Sequence, residues 1–348
     1  MTESLSASPS ISVVVVNWNG GVLLQHCLRS LAGEVADPAT DVELLLVDNA
    51  SSDGSVEVAE QDFPGLRVLR RPRNEGFGGG ANAGILASRG EFVVLVNNDA
   101  VVRPGFLQAI TAPMRGSAGQ DVGAVTGRVL LAGRYRPAPT ATPPDQGLTA
   151  ADGRRWLRTA PGEAGDVLVN STGNVMTRSG NGRDRDWLAP ADAPPSPPDV
   201  FGFNGGCAAL RRRALDEVGV FNARLFMYYE DTDLSWRLRR AGWRIVHAHD
   251  AVTEHQHAAS SGTATAFFQV HNLRNRLLVT MAQAPWPVVG RALVHTAFRL
   301  VTGPRRDRYA RALAQAAAGS VAALRARRET DRTATRSRRE VARWLLPG

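Results

Sequence analysis

The chain has 348 residues, of which 43% are hydrophobic, and its net charge at pH 7 is +8. This length and composition are typical of a globular protein with one large domain or two smaller ones. The two cysteines, Cys27 and Cys207, exclude a disulfide framework and a cysteine-based metal site.

The first 130 residues alternate apolar runs with segments of helical period. The runs ISVVVVNW, VELLLVD, LRVLRR, EFVVLVNND and VGAVTGRVL predict five strands, and the four segments between them predict helices. Because the strands are apolar throughout rather than alternating, they indicate a parallel sheet covered by helices on both faces. Ligands of such sheets bind beyond the carboxyl ends of the strands.

Two carboxylates follow neighbouring strands at that edge. Asp48, next to Asn49, ends the second predicted strand, and Asp99 ends the fourth, in the run NND. Asp48 is suited to accept a hydrogen bond from the imide N–H of uracil or thymine. Asp99 is suited to bind Mg²⁺ or Mn²⁺, which prefer oxygen ligands and share them with substrate phosphates. The alternative is that such residues cap the next helix, which is our interpretation of Asp53.

A glycine cluster, RNEGFGGGANAG, opens the helix after the third predicted strand. A dinucleotide-binding motif should lie directly after the first strand, so an NAD-dependent oxidoreductase is a distant alternative. A helix start rich in glycine still lets the backbone approach a diphosphate or a sugar closely.

The middle of the chain is rich in proline, glycine and arginine, as in GRYRPAPTATPPDQG. We expect a flexible insertion over residues 131–165. Regular structure resumes with DVLVNSTGNVMTRSG and, after a second proline-rich loop, with VFGFNGGCAALRRRAL. Gly205 and Gly206 precede an apolar strand there, where small residues leave room for a sugar.

The stretch MYYEDTDLSWR places Glu230, Asp231 and Asp233 at the start of a predicted helix. Close carboxylates raise one another's pKa, and the N-terminal end of a helix favours anions. Asp233 is predicted to cap the helix or to pair with Arg237, four residues later. A solvated helix start is the alternative without function.

Four histidines, at positions 247, 249, 255 and 257, lie close together in GWRIVHAHDAVTEHQH. Neither a cysteine nor an HExxH pattern accompanies them, which argues against zinc. We expect one of them to join Asp99 in binding a divalent cation.

The end of the chain is basic and largely helical by pattern. Residues 284–348 contain 14 arginines and four acidic residues, a net charge of +10, which leaves −2 for the rest of the chain. Such a segment binds anionic lipids or nucleic acid, or forms a solvated helix that pairs in a homo-oligomer. Because no nucleic-acid-binding motif accompanies it, we expect an anionic membrane surface and no nucleic acid.

The termini and the hydropathy lead to an expected location. MTESLSASPS has no region typical of a signal peptide, and WPVVGRALVHTAFRLV is interrupted by Arg291 and His295. These features predict a cytoplasmic protein, peripheral on the inner face of the plasma membrane if the basic segment binds lipid.

Six segments resemble, in order, the motifs of family 2 glycosyltransferases of the rhamnosyltransferase group. They are VVVVNWNG, LLLVDNASSDGS, RNEGFGGGANAGI, VVLVNNDAVV, FNGGCAALRRRALDEVGVFNARLFMYYEDTDLSWRLRRAGWRIV and TEHQHAASSG, from about Ile11 to Arg276. The resemblance implies an α/β, Rossmann-like fold of GT-A type. This fold has a mostly parallel central sheet with helices on both faces, plus a helical C-terminal extension here.

The resemblance also implies an activity and a catalytic pair. It implies inverting, metal-dependent transfer of a sugar, with L-rhamnose from dTDP-rhamnose as the best candidate. Galactofuranosyl, mannosyl or glucosyl transfer are alternatives. The acceptor would be a polyprenyl-diphosphate-linked sugar or a cell-wall polysaccharide. Glu230-Asp231 matches the family's ED motif, in which the Asp is the general base.

The metal site is implied in the same way. Asp99 would bind Mg²⁺ or Mn²⁺ and the diphosphate, and His255, or second His257, would complete the site. Asn97 stands where the family has the first Asp of its DXD motif. This departure supports an alternative of another class, an inactive scaffold that binds a nucleotide-sugar.

The remaining candidates concern the two substrates. For the nucleotide and donor they are Asn17, Asp48, Asn49, Asn74, Gly76, Asn82, Asn98 and Asp99. For the acceptor they are Gly205, Gly206 and Tyr229, whose ring can stack on a sugar. The predicted divisions are a disordered N-terminus (1–10), a nucleotide-sugar-binding half (11–130), the insertion (131–165), an acceptor-binding and catalytic half (166–276) and an arginine-rich helical extension (277–348).

Overall fold

The computed structural model of the protein describes residues 10–35, 41–143, 146–256 and 265–347. Its first part alternates strands and helices, as predicted. The strands are β1 (Ile11–Asn17), β2 (Val42–Asp48), β3 (Arg67–Arg70), β4 (Phe92–Asn97), β5 (Ala100–Val102) and β6 (Val122–Leu131). The helices are α1 (Gly21–Val35), α2 (Ser55–Asp62), α3 (Gly76–Ala87) and α4 (Phe106–Thr111). Almost all of the predicted N-terminus, 1–10, lies outside the described residues.

The segment 131–165 is more ordered than the predicted flexible insertion. It contains β7 (Tyr135–Pro137), β8 (Leu148–Thr149) and β9 (Arg155–Arg158), which pair as an antiparallel sheet in the order β7-β9-β8. Tyr135 and Trp156 pack with leucines from the flanking chain into a small core. The strands were not predicted because two to four residues between prolines and glycines are too short to show a period.

The second half of the chain adds strands first and helices later. The strands are β10 (Val169–Ser171), β11 (Asn174–Met176), β12 (Gly182–Asp184), β13 (Cys207–Arg211) and β14 (Arg244–His255). The helices are α5 (Arg212–Val218), α6 (Glu230–Ala241), α7 (Ala266–Gln283), α8 (Trp286–Thr302), α9 (Arg306–Thr333) and α10 (Arg338–Val341). The last four confirm the expected helical C-terminal part. None of the helices in the described ranges is long and apolar enough to cross a membrane.

Nine strands form the central sheet, in the order β3-β2-β1-β4-β13-β6-β14-β5, with β10 paired to β6. The pairs among β1, β2, β3 and β4, and the pair of β6 with β14, are parallel. Strand β13 lies antiparallel between β4 and β6. The mostly parallel sheet confirms the predicted fold class.

The apolar strands are buried on both sides, as their composition predicts. Val13 and Val15 of β1 pack in one core with α1 and α4, whereas Val14 packs in the other with α3 and α6. Because Asn17 pairs with Asp48 and Val16 with Asn97, the ends of β1, β2 and β4 are level. The side chains that follow these strands therefore meet at one edge.

Candidate active site

A cavity of about 810 Å³ opens at this edge. Residues from both halves of the chain line it. Among them are four carboxyl groups and one imidazole: Asp99, Asp184, Glu230, Asp231 and His255. A concave site on which titratable groups converge is the part of a protein where a reaction is best sought.

Asp231 lies in the first turn of α6 and accepts four hydrogen bonds, one of them from the hydroxyl of Thr232 at 3.2 Å. Its Oδ2 accepts from Nδ2 of Asn174 at 2.8 Å and from the N–H of Gly205 at 3.2 Å, and its Oδ1 accepts from the N–H of Thr232 at 2.6 Å. Burial nevertheless raises the pKa of Asp231, since desolvation outweighs these bonds. A fixed carboxylate with a raised pKa is suited to act as a general base.

Glu230 differs from its neighbour in having one carboxyl oxygen without a hydrogen bond. Its Oε2 is buried and has no hydrogen-bond partner in the described part of the chain. Burial first, and the charge of Asp231 second, raise the pKa of Glu230 to about 8. At neutral pH, Glu230 is therefore mostly protonated and can donate a hydrogen bond into the cavity.

The loop before α6 has an unusual backbone. Phe226, Tyr228 and Tyr229 have φ of 67°, 72° and 69°, and a positive φ is unfavourable for residues with a β-carbon. Asn275, buried on α7, holds this loop. Its Nδ2 lies within hydrogen-bond distance of three carbonyl oxygens, those of residues 225, 227 and 228, at 2.9, 2.8 and 2.8 Å. Asn275 thus holds the loop that leads into α6, in whose first turn Asp231 lies.

Asp99 and His255 face each other across the other side of the cavity. Nδ1 of His255 lies 3.0 Å from Oδ1 of Asn170, an oxygen that can only accept, so this nitrogen carries the proton. Nε2 of His255 lies 3.0 Å from Oδ1 of Asp99. That oxygen is buried and has no hydrogen bond within the described residues.

This pair fits a divalent cation. Adjacent ligands of an octahedral Mg²⁺ lie about 2.9 Å apart, since its bonds to oxygen are about 2.05 Å long. The described residues hold no cluster of three or more His, Cys, Asp or Glu that could bind a metal. Other ligands would therefore come from water and substrate, which is the usual situation for Mg²⁺ beside phosphates. His257 lies outside the described residues.

Comparison with known proteins identifies the family. The model of "Glycosyl transferase family 2" matches residues 12–219, and that of "Glycosyltransferase like family 2" matches residues 199–279. The chain belongs to glycosyltransferase family 2. It is 30% identical over 269 residues to an N-acetylglucosaminyl-diphospho-decaprenol L-rhamnosyltransferase of Mycobacterium tuberculosis, covering 72% of this chain and 78% of that one. The protein is thus a glycosyltransferase, similar to a rhamnosyltransferase, as its motifs predicted.

Solved structures share the fold of this glycosyltransferase. GalNAc-T7 with UDP, GalNAc and Mn²⁺ superposes with a TM-score of 0.63 at 15% identity, over 97% of this chain and 56% of that one. The mannosyltransferase PcManGT of Pyrobaculum calidifontis, with GDP-Man and Mn²⁺, superposes with a TM-score of 0.50 at 16% identity, over 94% and 85%. The glycosyltransferase thus has the GT-A type of fold.

The candidate donor residues at the end of β2 and beyond it fall into two groups. Asn49, Asn74 and Gly76 line the cavity, whereas Asp48 does not. Asp48 is buried, and its Oδ1 accepts from the N–H of Ser51 at 2.9 Å. Nδ2 of Asn49 donates to Oδ1 of Asn74 and to the carbonyl of Gly76, both at 3.0 Å. These bonds hold the start of α3 against the end of β2.

Three other donor candidates form hydrogen bonds within the protein. Nδ2 of Asn17 donates to hydroxyls of Ser51 and Ser55, while its Oδ1 accepts from Asn98 at 2.7 Å. Asn98 lines the cavity and Asn17 does not. Asn82 does not line it either, because its amide exchanges two hydrogen bonds of 2.9 Å with the backbone of Phe221. These two bonds join α3 to the segment that contains Phe221.

The acceptor candidates are also separated. Gly205 and Gly206 line the cavity, and a β-carbon on Gly206 would lie 2.6 Å from the Asn97 amide. Tyr229 is buried and does not line it. Its hydroxyl accepts from the N–H of Gly182 at 2.8 Å, so it supports β12 rather than offering its ring to a sugar.

Asp184 was missed by the sequence interpretation. It lies on β12 and lines the cavity, and its Oδ1 accepts from Nδ2 of Asn204 at 3.2 Å. Burial raises the pKa of Asp184 to about 6, and the nearby charge of Asp231 contributes. The surrounding sequence NGRDRDW alternates acid and base like an ordinary exposed strand, so nothing in it marked the residue.

Asp233 behaves as predicted. Its Oδ2 accepts from Nε of Arg237, four residues later, at 2.9 Å. Its Oδ1 accepts from Nε2 of Gln283 on α7, also at 2.9 Å. Of the three acidic residues that begin α6, only Glu230 and Asp231 face the cavity.

Proposed function

We propose that this glycosyltransferase inverts the anomeric carbon of a nucleotide-diphosphate sugar in a single displacement, with Asp231 as the general base. The observation that carries the proposal is that Asp231, held by Asn174 and Gly205, shares one cavity with the Asp99–His255 pair. An inverting transfer needs a base for the acceptor on one side of the sugar and stabilisation of the leaving group on the other.

The displacement forms one bond and breaks one. The acceptor hydroxyl oxygen attacks the anomeric carbon while the bond from that carbon to the diphosphate oxygen breaks. The hydroxyl proton passes to the carboxylate of Asp231, and the nucleoside diphosphate leaves with the bonding electrons. Because Glu230 is mostly neutral at pH 7, it adds no second negative charge beside the base.

Asp99 and His255 are the residues that would hold Mg²⁺ or Mn²⁺. Bound there, the cation would stabilise the negative charge that the diphosphate gains. Asn97 supplies an amide where a second carboxylate would strengthen the site, so we expect a loosely bound cation. The two structures with the same fold contain Mn²⁺, which supports a divalent metal here.

For the substrates, the proposal follows the Mycobacterium tuberculosis relative. Its name specifies L-rhamnosyl transfer to N-acetylglucosaminyl-diphospho-decaprenol. We therefore propose dTDP-rhamnose as donor and a polyprenyl-diphosphate-linked sugar, a precursor of a cell-wall polysaccharide, as acceptor. The proposed location is the cytoplasmic face of the plasma membrane, where a soluble donor and a lipid-linked acceptor meet.

A donor screen tests the proposal. The purified protein is incubated with dTDP-, UDP- and GDP-sugars and Mn²⁺ or Mg²⁺, and release of nucleoside diphosphate is measured with and without a polyprenyl-diphosphate-linked acceptor. We expect release from dTDP-rhamnose, and a fall in turnover of about 10²- to 10⁴-fold for Asp231→Asn. The control, Asp216→Asn, removes an exposed acid on α5 and should leave turnover unchanged.

Two results would contradict it. Release from another donor sugar would keep the chemistry but overturn rhamnose as the sugar. No release from any donor with acceptor present, together with nucleotide binding, would identify an inactive nucleotide-sugar-binding scaffold.

A further inference from the structure

Helix α8 buries one face and exposes an apolar one. Val288, Val289, Ala292 and Thr296 face the protein. On the opposite face, side chains with exposed fractions of 40% to 69% are Trp286, Leu293, Val294, Phe298 and Val301. Their spacing of mostly three, four or seven residues places them on one side of the helix, which we call the α8 apolar face.

This face is not ordinary surface. Five of the 14 exposed large hydrophobic residues in the described part of the chain lie on this one helix of 17 residues. Val321 and Leu324 of the neighbouring helix α9 are two more. Single exposed apolar side chains are common, but a contiguous group marks a surface that binds something.

The charges around the face select the kind of partner. Helix α8 contains no acidic residue, and Arg291 and Arg299 are its only charged side chains of fixed sign. Arg325, Arg328 and Arg332 are exposed further along α9. An apolar stripe on a helix that also carries two exposed arginines and no acid matches an anionic bilayer, in which acyl chains lie beneath phosphates. A second copy would oppose two segments of net charge +10, which repel each other.

We propose that the α8 apolar face inserts into the headgroup boundary of an anionic membrane, with the arginines of α8 and α9 on the lipid phosphates. The helix lies in the plane of the membrane and does not cross it. The α8 apolar face is thus the surface through which the basic C-terminal segment would bind lipid.

The buried face of α8 connects to the cavity wall. Arg276, buried on α7, donates from Nη1 to Oδ1 of Asn181 at 2.7 Å and from Nη2 to the hydroxyl of Thr296 on α8. Asn181 directly precedes β12, whose residues line the cavity. This step rests on the proposed function: a lipid-linked acceptor would enter the cavity close to the bilayer on which α8 lies.

Vesicle sedimentation with the full chain tests the inference. Vesicles of phosphatidylcholine alone are compared with vesicles that also contain phosphatidylglycerol. We expect binding to the anionic vesicles only, and binding that weakens with salt. The variant Val294→Glu/Phe298→Glu should bind about tenfold less tightly or worse, because two apolar side chains are replaced by charges that repel the lipid.

The matched control is Val58→Glu/Leu86→Glu, which places the same charges at exposed apolar positions on α2 and α3. It should bind vesicles as the unmodified protein does. Thermal unfolding of both variants should be unchanged, since all four side chains are exposed, and equal loss of binding in both pairs would overturn the inference. Donor hydrolysis in solution should also be unchanged, so failure of membrane binding is distinguished from failure of the enzyme.

Three further results would overturn it. Equal binding of the unmodified protein to neutral and anionic vesicles would show that the arginines do not select the lipid. Binding to neither kind of vesicle would show that the α8 apolar face does not bind a membrane. A dimer seen by light scattering that Val294→Glu/Phe298→Glu dissociates, together with no vesicle binding, would make the face an interface between copies of this chain.

Discussion

The cavity has one wall at the ends of β1, β2 and β4 and a second wall formed by β12, the loop before α6 and the first turn of α6. The first wall consists mainly of amide side chains, such as Asn49, Asn74 and Asn98, which are hydrogen-bonded to each other, to Asn17 and to the backbone of Gly76. Asp99 contributes its one lining carboxylate in the described residues. We call it the donor wall.

The second wall, which we call the acceptor wall, concentrates the acidic groups. Asp184, Glu230 and Asp231 all line it, and burial raises the pKa of each. Asn174 holds Asp231, and Asn275 holds the loop before α6. The difference teaches that the amides of the donor wall do not titrate, whereas the acceptor wall carries three carboxyl groups whose pKa is raised by burial and supplies most of the site's pH dependence.

After Asp231→Asn, the largest effect is expected on the donor wall, from loss of the cation. Asp99→Asn should reduce turnover about a hundredfold or more, because a metal supplies several kcal/mol of stabilisation to a leaving diphosphate. Chelation should abolish turnover of the unmodified enzyme, and Mn²⁺ should restore it. The variant should need more Mn²⁺ for half-maximal rate. The control Asp62→Asn changes an exposed acid at the end of α2. Full activity of Asp99→Asn in chelator would refute a metal at this wall.

The next effect concerns the loop of the acceptor wall. Asn275→Ala removes the amide that holds residues 225–228, and should lower the free energy of unfolding by about 2 kcal/mol. Because the loop then no longer fixes Asp231, kcat should fall about tenfold while the KM for the donor changes little.

Asn82→Ala is the matched control for the loop. It also removes a buried amide that exchanges two hydrogen bonds with the backbone, but at Phe221, outside the loop. We expect a similar loss of stability with kcat preserved. Equal losses of kcat in the two variants would show that Asn275 only stabilises the fold.

The two walls also differ in how much of them the sequence predicts. Asp48, Asn49 and Asp99 could be placed at one edge because each follows an apolar strand, and parallel strands end together. The fold class followed from the same strands. Asp231 was found through its motif, on a helix start with a clear period. Elements that follow from local pattern were therefore predictable.

Asp184 and Asn275 were not predictable from pattern. Asn174 donates a hydrogen bond to Asp231, which lies 57 positions later, and Asn275 donates to Met227, which lies 48 positions earlier. No local sequence pattern connects residues so far apart. The left-handed backbone at Tyr228 and Tyr229 was also hidden, since glycine or asparagine is the usual marker of that conformation. The ring of Tyr229 was predicted to stack on a sugar, but it is buried in the fold.

A smaller effect is expected at Asp184. Asp184→Asn keeps the size of the side chain but removes its charge and replaces one of its two accepting oxygens with a donor. If a sugar hydroxyl donates to that oxygen, kcat/KM should fall about tenfold, the loss of one hydrogen bond to a charged group. The control Asp186→Asn changes the acid two residues later, whose Oδ2 accepts from Thr172 outside the cavity. The variant should discriminate less well than the unmodified enzyme between the complete donor and donors that lack one hydroxyl. Unchanged discrimination would mean that Asp184 does not contact the donor sugar.

The last expected effect is on stability rather than rate, and it belongs to Glu230. Its pKa rises from 4.5 to about 8 on folding, so between these values the folded state holds a proton that the unfolded state has lost. Stability from this group is then complete below pH 4.5 and decreases as the pH rises towards 8, by at most about 1.4 kcal/mol per pH unit. Glu230→Gln cannot ionise, so its unfolding free energy, measured by denaturant titration from pH 5 to 9, should fall less steeply. Parallel curves for the two proteins would show that Glu230 is not held neutral by its burial. The acceptor wall would then tolerate two adjacent charges, and the contrast in pH dependence with the donor wall would rest on Asp184 and Asp231 alone.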